Sequence, residues 1–253
     1  YILYSFLFTE VCMKHSAAKV ILFVSFAVLV CIAASKNAVS VFGNLQNGKA
    51  TIILDAGHGG EDGGAVAPDG TNEKDINLAI VKDISALFEI FGIDYIPVRT
   101  EDISVGDNNL STLAARKKSD IRNREKLVNS TPGAVFFSIH QNKFEIPKYK
   151  GTQVFYGAGN PESELIAQCV QEAVVARLQK DNTRQIKPSG DSIYLLYKAK
   201  APSVMTECGF LSNPEELVLL KSDEYQKKMA YSVYCGLQTY LNSKEITKDG
   251  SQE

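Results

Sequence analysis

The sequence predicts an α/β domain built on a largely parallel sheet. Short apolar runs rich in β-branched and aromatic residues alternate with stretches of helical periodicity, and no linker breaks that alternation between Thr51 and Leu241. The chain has 253 residues, 45% hydrophobic and 22% charged, the mix of a globular protein with a sizeable core. Its 27 basic against 29 acidic residues leave a net charge of −2, which argues against an electrostatic nucleic-acid binder.

The first strand is expected over Thr51–Asp55. Next, Ile76, Ile80, Ile84, Leu87, Phe88 and Phe91 recur at three- and four-residue steps, the apolar face of a helix. Thr71 or Asn72 can cap it, with Glu73 and Asp75 in the first turn, where the dipole favours negative charge. Strand-like runs follow at Ile93–Val98, Ala134–His140, Gly151–Tyr156, Ile193–Tyr197 and Ser203–Glu207. Further helices are expected at Thr112–Val128, Pro161–Leu178 and Asp223–Leu241. One domain over residues 51–242 accounts for all of these, with a charged, frayed tail at 243–253.

Ahead of the domain, Lys14 and Lys19 precede the 15-residue apolar run Val20–Ala34, which ends in Ala33-Ala34-Ser35. That order is the order of an export signal. Residues 1–35 are therefore read as targeting sequence, with 1–12 as read-through upstream of a start at Met13. Fifteen residues make a helix of ~22 Å against a ~30 Å hydrocarbon core, so a cleaved signal peptide and a short anchor stay open alike. A lipoprotein is disfavoured, because Val30 rather than a small residue precedes Cys31. Residues 36–50 are polar and aperiodic, a linker. The expected location is extracytoplasmic, with membrane contact only through the N-terminal segment. Cys169, Cys208 and Cys235 show no metal or disulfide spacing and read as small core residues.

In a parallel sheet, ligands collect beyond the carboxyl ends of the strands. Here those ends carry Asp55-Ala56-Gly57-His58-Gly59-Gly60, Ser138-Ile139-His140 and Thr206-Glu207-Cys208-Gly209. Of three histidines, His15 lies in the export segment, leaving His58 and His140 at two separate strand ends. One such histidine would read as structural, but two shift the balance towards metal binding. A third ligand must then be a carboxylate, and Glu73 follows the Gly-rich loop that could fold it back towards His58. Taken alone, Glu73 reads first as a first-turn helix acid. Glu207 ends an apolar strand, where a carboxylate is costly unless paired or functional. It reads either as general base and acid beside a metal-activated water, or as a buried partner of Arg99, Arg116, Arg122 or Arg124. No HExxH helix or Gly-x-Ser-x-Gly elbow is present. A two-carboxylate glycosidase is compatible with composition but leaves both histidines without a task.

The segments LDAGHGGEDGGAV (54–66), NEKDINL (72–78), SIHQN (138–142) and TECGFLSNPEE (206–216) together resemble the zinc-dependent N-acetylmuramoyl-L-alanine amidases with a type 3 catalytic domain. The likeness extends from about Ala50 to Leu241. It implies a single domain with a mixed, mostly parallel sheet flanked by helices, zinc held by His58, Glu73 and His140, and Glu207 as catalytic base. The implied reaction is hydrolysis of the amide joining the lactyl group of muramic acid to L-alanine of the peptidoglycan stem peptide. Ala56 stands where proline is common, Lys143 where a small residue is usual, and Cys208 where a small or branched apolar residue is commoner. The short link Lys143–Lys150 leaves no room for the blocking helix of some cell-division amidases. The minimal layout and the polar stretch Arg99–Ile121 resemble the sporulation and germination branch, implying a role in spore-cortex maturation, with room for an accessory protein. Two other classes remain alongside: a zinc peptidase cutting within the stem peptide, and a non-catalytic wall-binding module.

Overall fold

A strand buried on both faces of a sheet needs apolar side chains at successive positions. The segments around Ile52-Ile53-Leu54 and Val135-Phe136-Phe137 supply them, each residue 2% exposed or less. The computed structural model describes residues 50–249. In chain order the elements are β1 (Thr51–Ala56), α1 (Glu73–Phe91), β2 (Tyr95–Pro97), α2 (Leu113–Ser130), β3 (Ala134–Asn142), β4 (Gln153–Tyr156), α3 (Pro161–Arg177), β5 (Lys187–Pro188), α4 (Tyr194–Lys198), β6 (Ser203–Phe210), α5 (Pro214–Leu220) and α6 (Asp223–Asp249). The sheet order is β2-β1-β3-β6-β4-β5. β2, β1, β3 and β6 run parallel, β4 is antiparallel to β6, and β5 is parallel to β4. This is the mixed, mostly parallel sheet flanked by helices that the sequence implied.

Alternation along the strands divides the core. Ile52, Leu54, Val135, Phe137, Ile139 and Val204 meet α1, α3 and α6, whereas Ile53, Phe136 and Met205 meet α2 and α4. On α1 the four-residue ladder Ile76, Ile80, Ile84, Phe88 is 3% exposed or less. Truncating a buried aromatic such as Phe88 or Phe136 would cost about 3–5 kcal/mol. Gly92 ends the helix at φ 67°, a left-handed position that favours glycine. Asn72 occupies the N-cap of α1 without a side-chain cap bond. The loop does that work instead, Glu73 N donating to Ala65 O and Lys74 N to Gly63 O. Those two bonds fold the Gly-rich loop back onto the helix start.

Several boundaries differ from expectation. Ile193–Tyr197 was expected as a strand, but residues 194–198 form a turn of helix. Leu196 is buried there in the second core and the Tyr194 hydroxyl donates to Glu125. A five-residue apolar run has no period that separates strand from helix. Pro214–Leu220 forms a separate helix, capped by Asn213 through Glu215 N and Glu216 N. The last helix continues past Leu241 to Asp249, so the tail expected from residue 243 begins as further helical turns. The export segment and the linker over 36–49 lie outside the described residues. Among the described residues no helix is long and apolar enough to cross a membrane.

Candidate active site

Register brings the strand ends together. Ala56 lies beside Ile139, so the residues after β1 arrive next to His140, and His140 is itself the register partner of Glu207. His58 sits at φ 62°, a left-handed conformation uncommon outside glycine, and its ring meets that of His140 edge-on at 5.0 Å. Glu73, the first residue of α1, lies between the two. Its Oε2 is 3.2 Å from His58 Nε2, and its Oε1 is 2.8 Å from His140 Nδ1. Backbone N–H groups of Ala65 and Gln141 and the amide of Asn77 also donate to this carboxylate, fixing it although it is only 3% exposed.

Two glycines make room for this packing. A Cβ at Gly57 would lie 2.2 Å from the His140 ring. At Gly64, with φ +70°, a Cβ would come within 2.5 Å of Glu73 Oε2 and 2.6 Å of the His58 ring.

The loop carrying His58 is held from below. Arg124 is buried and paired with Asp55, which accepts a further bond from the Ser138 hydroxyl; Arg124 also donates to the carbonyls of Ala56 and His58. Arg99, equally buried, donates to the carbonyls of Ala56, Gly57 and Lys74. Neither arginine pairs with Glu207, and Arg116 and Arg122 pair with Glu61 and Glu125. Among the described residues, then, the arginine-partner reading of Glu207 does not hold. Its Oε2 is buried with no hydrogen-bond partner.

Charge follows this geometry. Burial alone would lower the His58 pKa, but the Asp62 and Glu73 carboxylates outweigh it and raise it to about 9. Burial would raise Glu73, but both imidazoles hold it well below the usual carboxylate range. For Glu207 burial prevails, pushing it up to about 7 against the pull of His140 and His58. Two carboxyl groups that share the same pair of imidazoles as charged neighbours are thus driven in opposite directions, the pattern that separates a charge-holding acid from a proton-transferring one.

Asp62 did not emerge from the sequence. Its Oδ2 is 2.8 Å from His58 Nδ1 and its Oδ1 2.7 Å from Lys117, so it orients the ring and leaves Nε2 facing Glu73. Only the His-x-x-x-Asp spacing inside the Gly-rich loop hinted at it. The three departures from the family pattern lie around the site rather than in it. Ala56 is buried in the core, Lys143 Nζ donates to Val66 O, and Cys208, on β6 itself, is buried in the same core. Residues 143–150 form turns with no helix, as their length required.

His58, Glu73 and His140 offer two imidazole nitrogens and a carboxylate oxygen within 4.8 Å of one another, a set that could hold a metal ion. Such a set beside an unpaired acid, at the carboxyl edge of a parallel sheet, is the arrangement of a metal-dependent hydrolase. The particular kind follows from comparison. A family model described as N-acetylmuramoyl-L-alanine amidase matches residues 52–239, and the chain belongs to that family of metal-dependent peptidoglycan amidases. A germination-specific N-acetylmuramoyl-L-alanine amidase of Bacillus subtilis is 35% identical over 193 residues, 76% of this chain and 80% of that one. The CwlD amidase of Clostridioides difficile, solved in complex with the GerS lipoprotein, is 42% identical with a TM-score of 0.74. That match covers 77% of this chain and all of the other. AmiC2, an amidase of Nostoc punctiforme, gives a TM-score of 0.64 at 27% identity over 78% of this chain and 99% of its own.

Proposed function

We propose that this amidase is a zinc enzyme in which His58, Glu73 and His140 hold the ion and Glu207 moves the protons. The observation that carries this is the buried, unpartnered Glu207 Oε2 beside a nitrogen, nitrogen, oxygen donor set. These donors suit zinc, which commonly takes three protein ligands and keeps a position open. When bound, zinc would polarise the lactyl–alanine carbonyl and make a water more acidic. Glu207 would accept a proton from that water and deliver it to the leaving nitrogen of L-alanine, a task suited to a carboxyl whose pKa is pushed up to about 7. Asp62 would keep the His58 ring in the tautomer and angle that present Nε2.

The substrate would be peptidoglycan outside the cytoplasm, met by a secreted or membrane-anchored protein at the cell wall or spore cortex. The spore role, in cortex maturation and germination, is supported by likeness to the germination-specific amidase and to CwlD. An accessory protein for this chain is supported by the GerS complex of the latter. The test is mass spectrometry of peptidoglycan digested with the zinc-supplied protein. Intact glycan with stem peptides bearing a free L-alanine amine is expected. Cleavage within the peptide, leaving L-alanine on muramic acid, would overturn the assignment.

A further inference from the structure

Beside the proton-transferring position, the antiparallel strand β4 sets Gln153 directly across from Glu207. Opposed residues in such a pair have Cα atoms about 4.5–5.5 Å apart and side chains on one face. The Gln153 side-chain oxygen accepts from Arg184 Nη1 at 3.1 Å, and Arg184 Nε donates to Lys150 O at 2.7 Å. The guanidinium lies 4.5 Å over the ring of Phe210, whose register partner Asn142 is two residues beyond His140. Arg184 is thus fixed along one edge and one face, at the rim formed by the same strands that carry His140 and Glu207. Among the described residues its Nη2 makes no hydrogen bond or ion pair. A half-buried guanidinium held at Nε and Nη1, with its Nη2 N–H groups to spare, is a preorganised receptor for a carboxylate.

We propose that Arg184 binds the free α-carboxylate of the stem-peptide residue that follows L-alanine and so sets substrate selectivity. The inference rests on the amidase reading above. It fits the chemistry of the peptide, whose second residue is a γ-linked glutamate carrying that carboxylate. It also fits the reach: from the scissile nitrogen, an extended dipeptide spans about 7 Å. From Glu207, the guanidinium is one strand across and one side chain up.

The test uses two muramyl tripeptides that differ only in this carboxylate, free in one and amidated in the other, with wild-type protein, R184Q and R184K. Wild type should favour the free acid by about 10- to 100-fold in kcat/KM, mainly through KM, the worth of a charge-assisted bond. R184Q should lose that preference, its kcat/KM falling about 10- to 100-fold further on the free acid than on the amidated substrate, and R184K should fall between. Equal use of both substrates by wild type would overturn the proposal, and that comparison needs no variant to fold. So would an R184Q defect of the same size on both. Hydrolysis of neither tripeptide by zinc-loaded wild type that still releases peptide from whole peptidoglycan would overturn the proposal alone, whereas no release from peptidoglycan either would overturn the amidase reading with it.

Discussion

Gly57→Ala isolates the packing of the candidate metal centre from everything else. Gly57 does not have a positive φ, so alanine meets no backbone penalty there. The new Cβ would lie 2.2 Å from two atoms of the His140 ring, where carbon contacts settle at about 3.5–4.0 Å. Gly57 itself cannot retreat easily. Its N–H donates to Ile139 O, and its carbonyl accepts from Asn77 and Arg99. The ring must therefore yield by about 1.3 Å, which breaks its 2.8 Å contact with Glu73. Overpacking of this kind costs about 1–3 kcal/mol in stability. A reacting group misplaced by about 1 Å can cost 10²-fold in rate. The expected result for G57A is a folded protein with a Tm lowered by several degrees, at least ~10²-fold slower peptide release and weakened zinc retention against a chelator. Circular dichroism, chelator competition and a release assay read the three. Gly159→Ala, where a Cβ meets nothing within 4 Å, serves as the matched control. A G57A protein with wild-type zinc affinity and rate would show that the ring can shift without consequence, and the geometric argument would fail.

Other perturbations separate the remaining roles. Glu207→Gln should keep zinc yet slow peptide release by about 10²–10⁴-fold, and near-normal turnover would refute its proton-transfer role. Asp62→Asn should weaken zinc affinity about 10- to 100-fold in chelator titrations, since His58 loses the carboxylate that orients it; unchanged affinity would make Asp62 a bystander. Arg124→Met would strand the buried Asp55, at a cost of about 3–5 kcal/mol in urea unfolding, and a loss under 1 kcal/mol would contradict the pairing. In the metal-free chain His58 has its pKa raised from 6.5 to about 9, so the protonated ring contributes stability fully present below pH 6.5 and lost as pH rises through about 9. Between these values zinc uptake must expel a proton, so apparent affinity should climb with pH and level off near 9. Calorimetry in buffers of different ionisation enthalpy, showing no proton release at pH 7, would rule this out.

What the sequence revealed was decided by the length and regularity of each signal. The ladder Ile76-Ile80-Ile84-Phe88 spans four turns and has one interpretation, whereas residues 193–197 span little more than one and have two. The clustering of His58, Glu73 and His140 was foreseeable because the chain has only three histidines and two of them close strands, and Glu207 stood out as a carboxylate ending an apolar strand. Asp62 and the buried Arg99, Arg124 and Asp55 did not, since nothing local distinguishes a buried charge from an exposed one. Arg99 meets the Ala56 and Gly57 carbonyls, and Arg124 meets Asp55, across 42 to 69 positions of chain, and only the assembled sheet shows which group each guanidinium reaches. Arg184 was hidden for the same reason, since Lys150 and Gln153, which fix it, lie 34 and 31 positions back along the chain.

The two guanidiniums beneath the loop have a dynamic consequence. Arg99 follows β2 and Arg124 lies on α2, yet both hold the backbone oxygens that shape the turn at His58. Spreading that turn would break bonds to both arginines and expose an ion pair packed under α2. The turn, α2 and the segment between Arg99 and Leu113 should therefore behave as one cooperative opening unit rather than as a mobile lip above a rigid sheet. Amide exchange in these three regions would then share a single opening free energy, and whatever steadies the solvent-facing side of α2 would also steady the histidine on the far side of the turn.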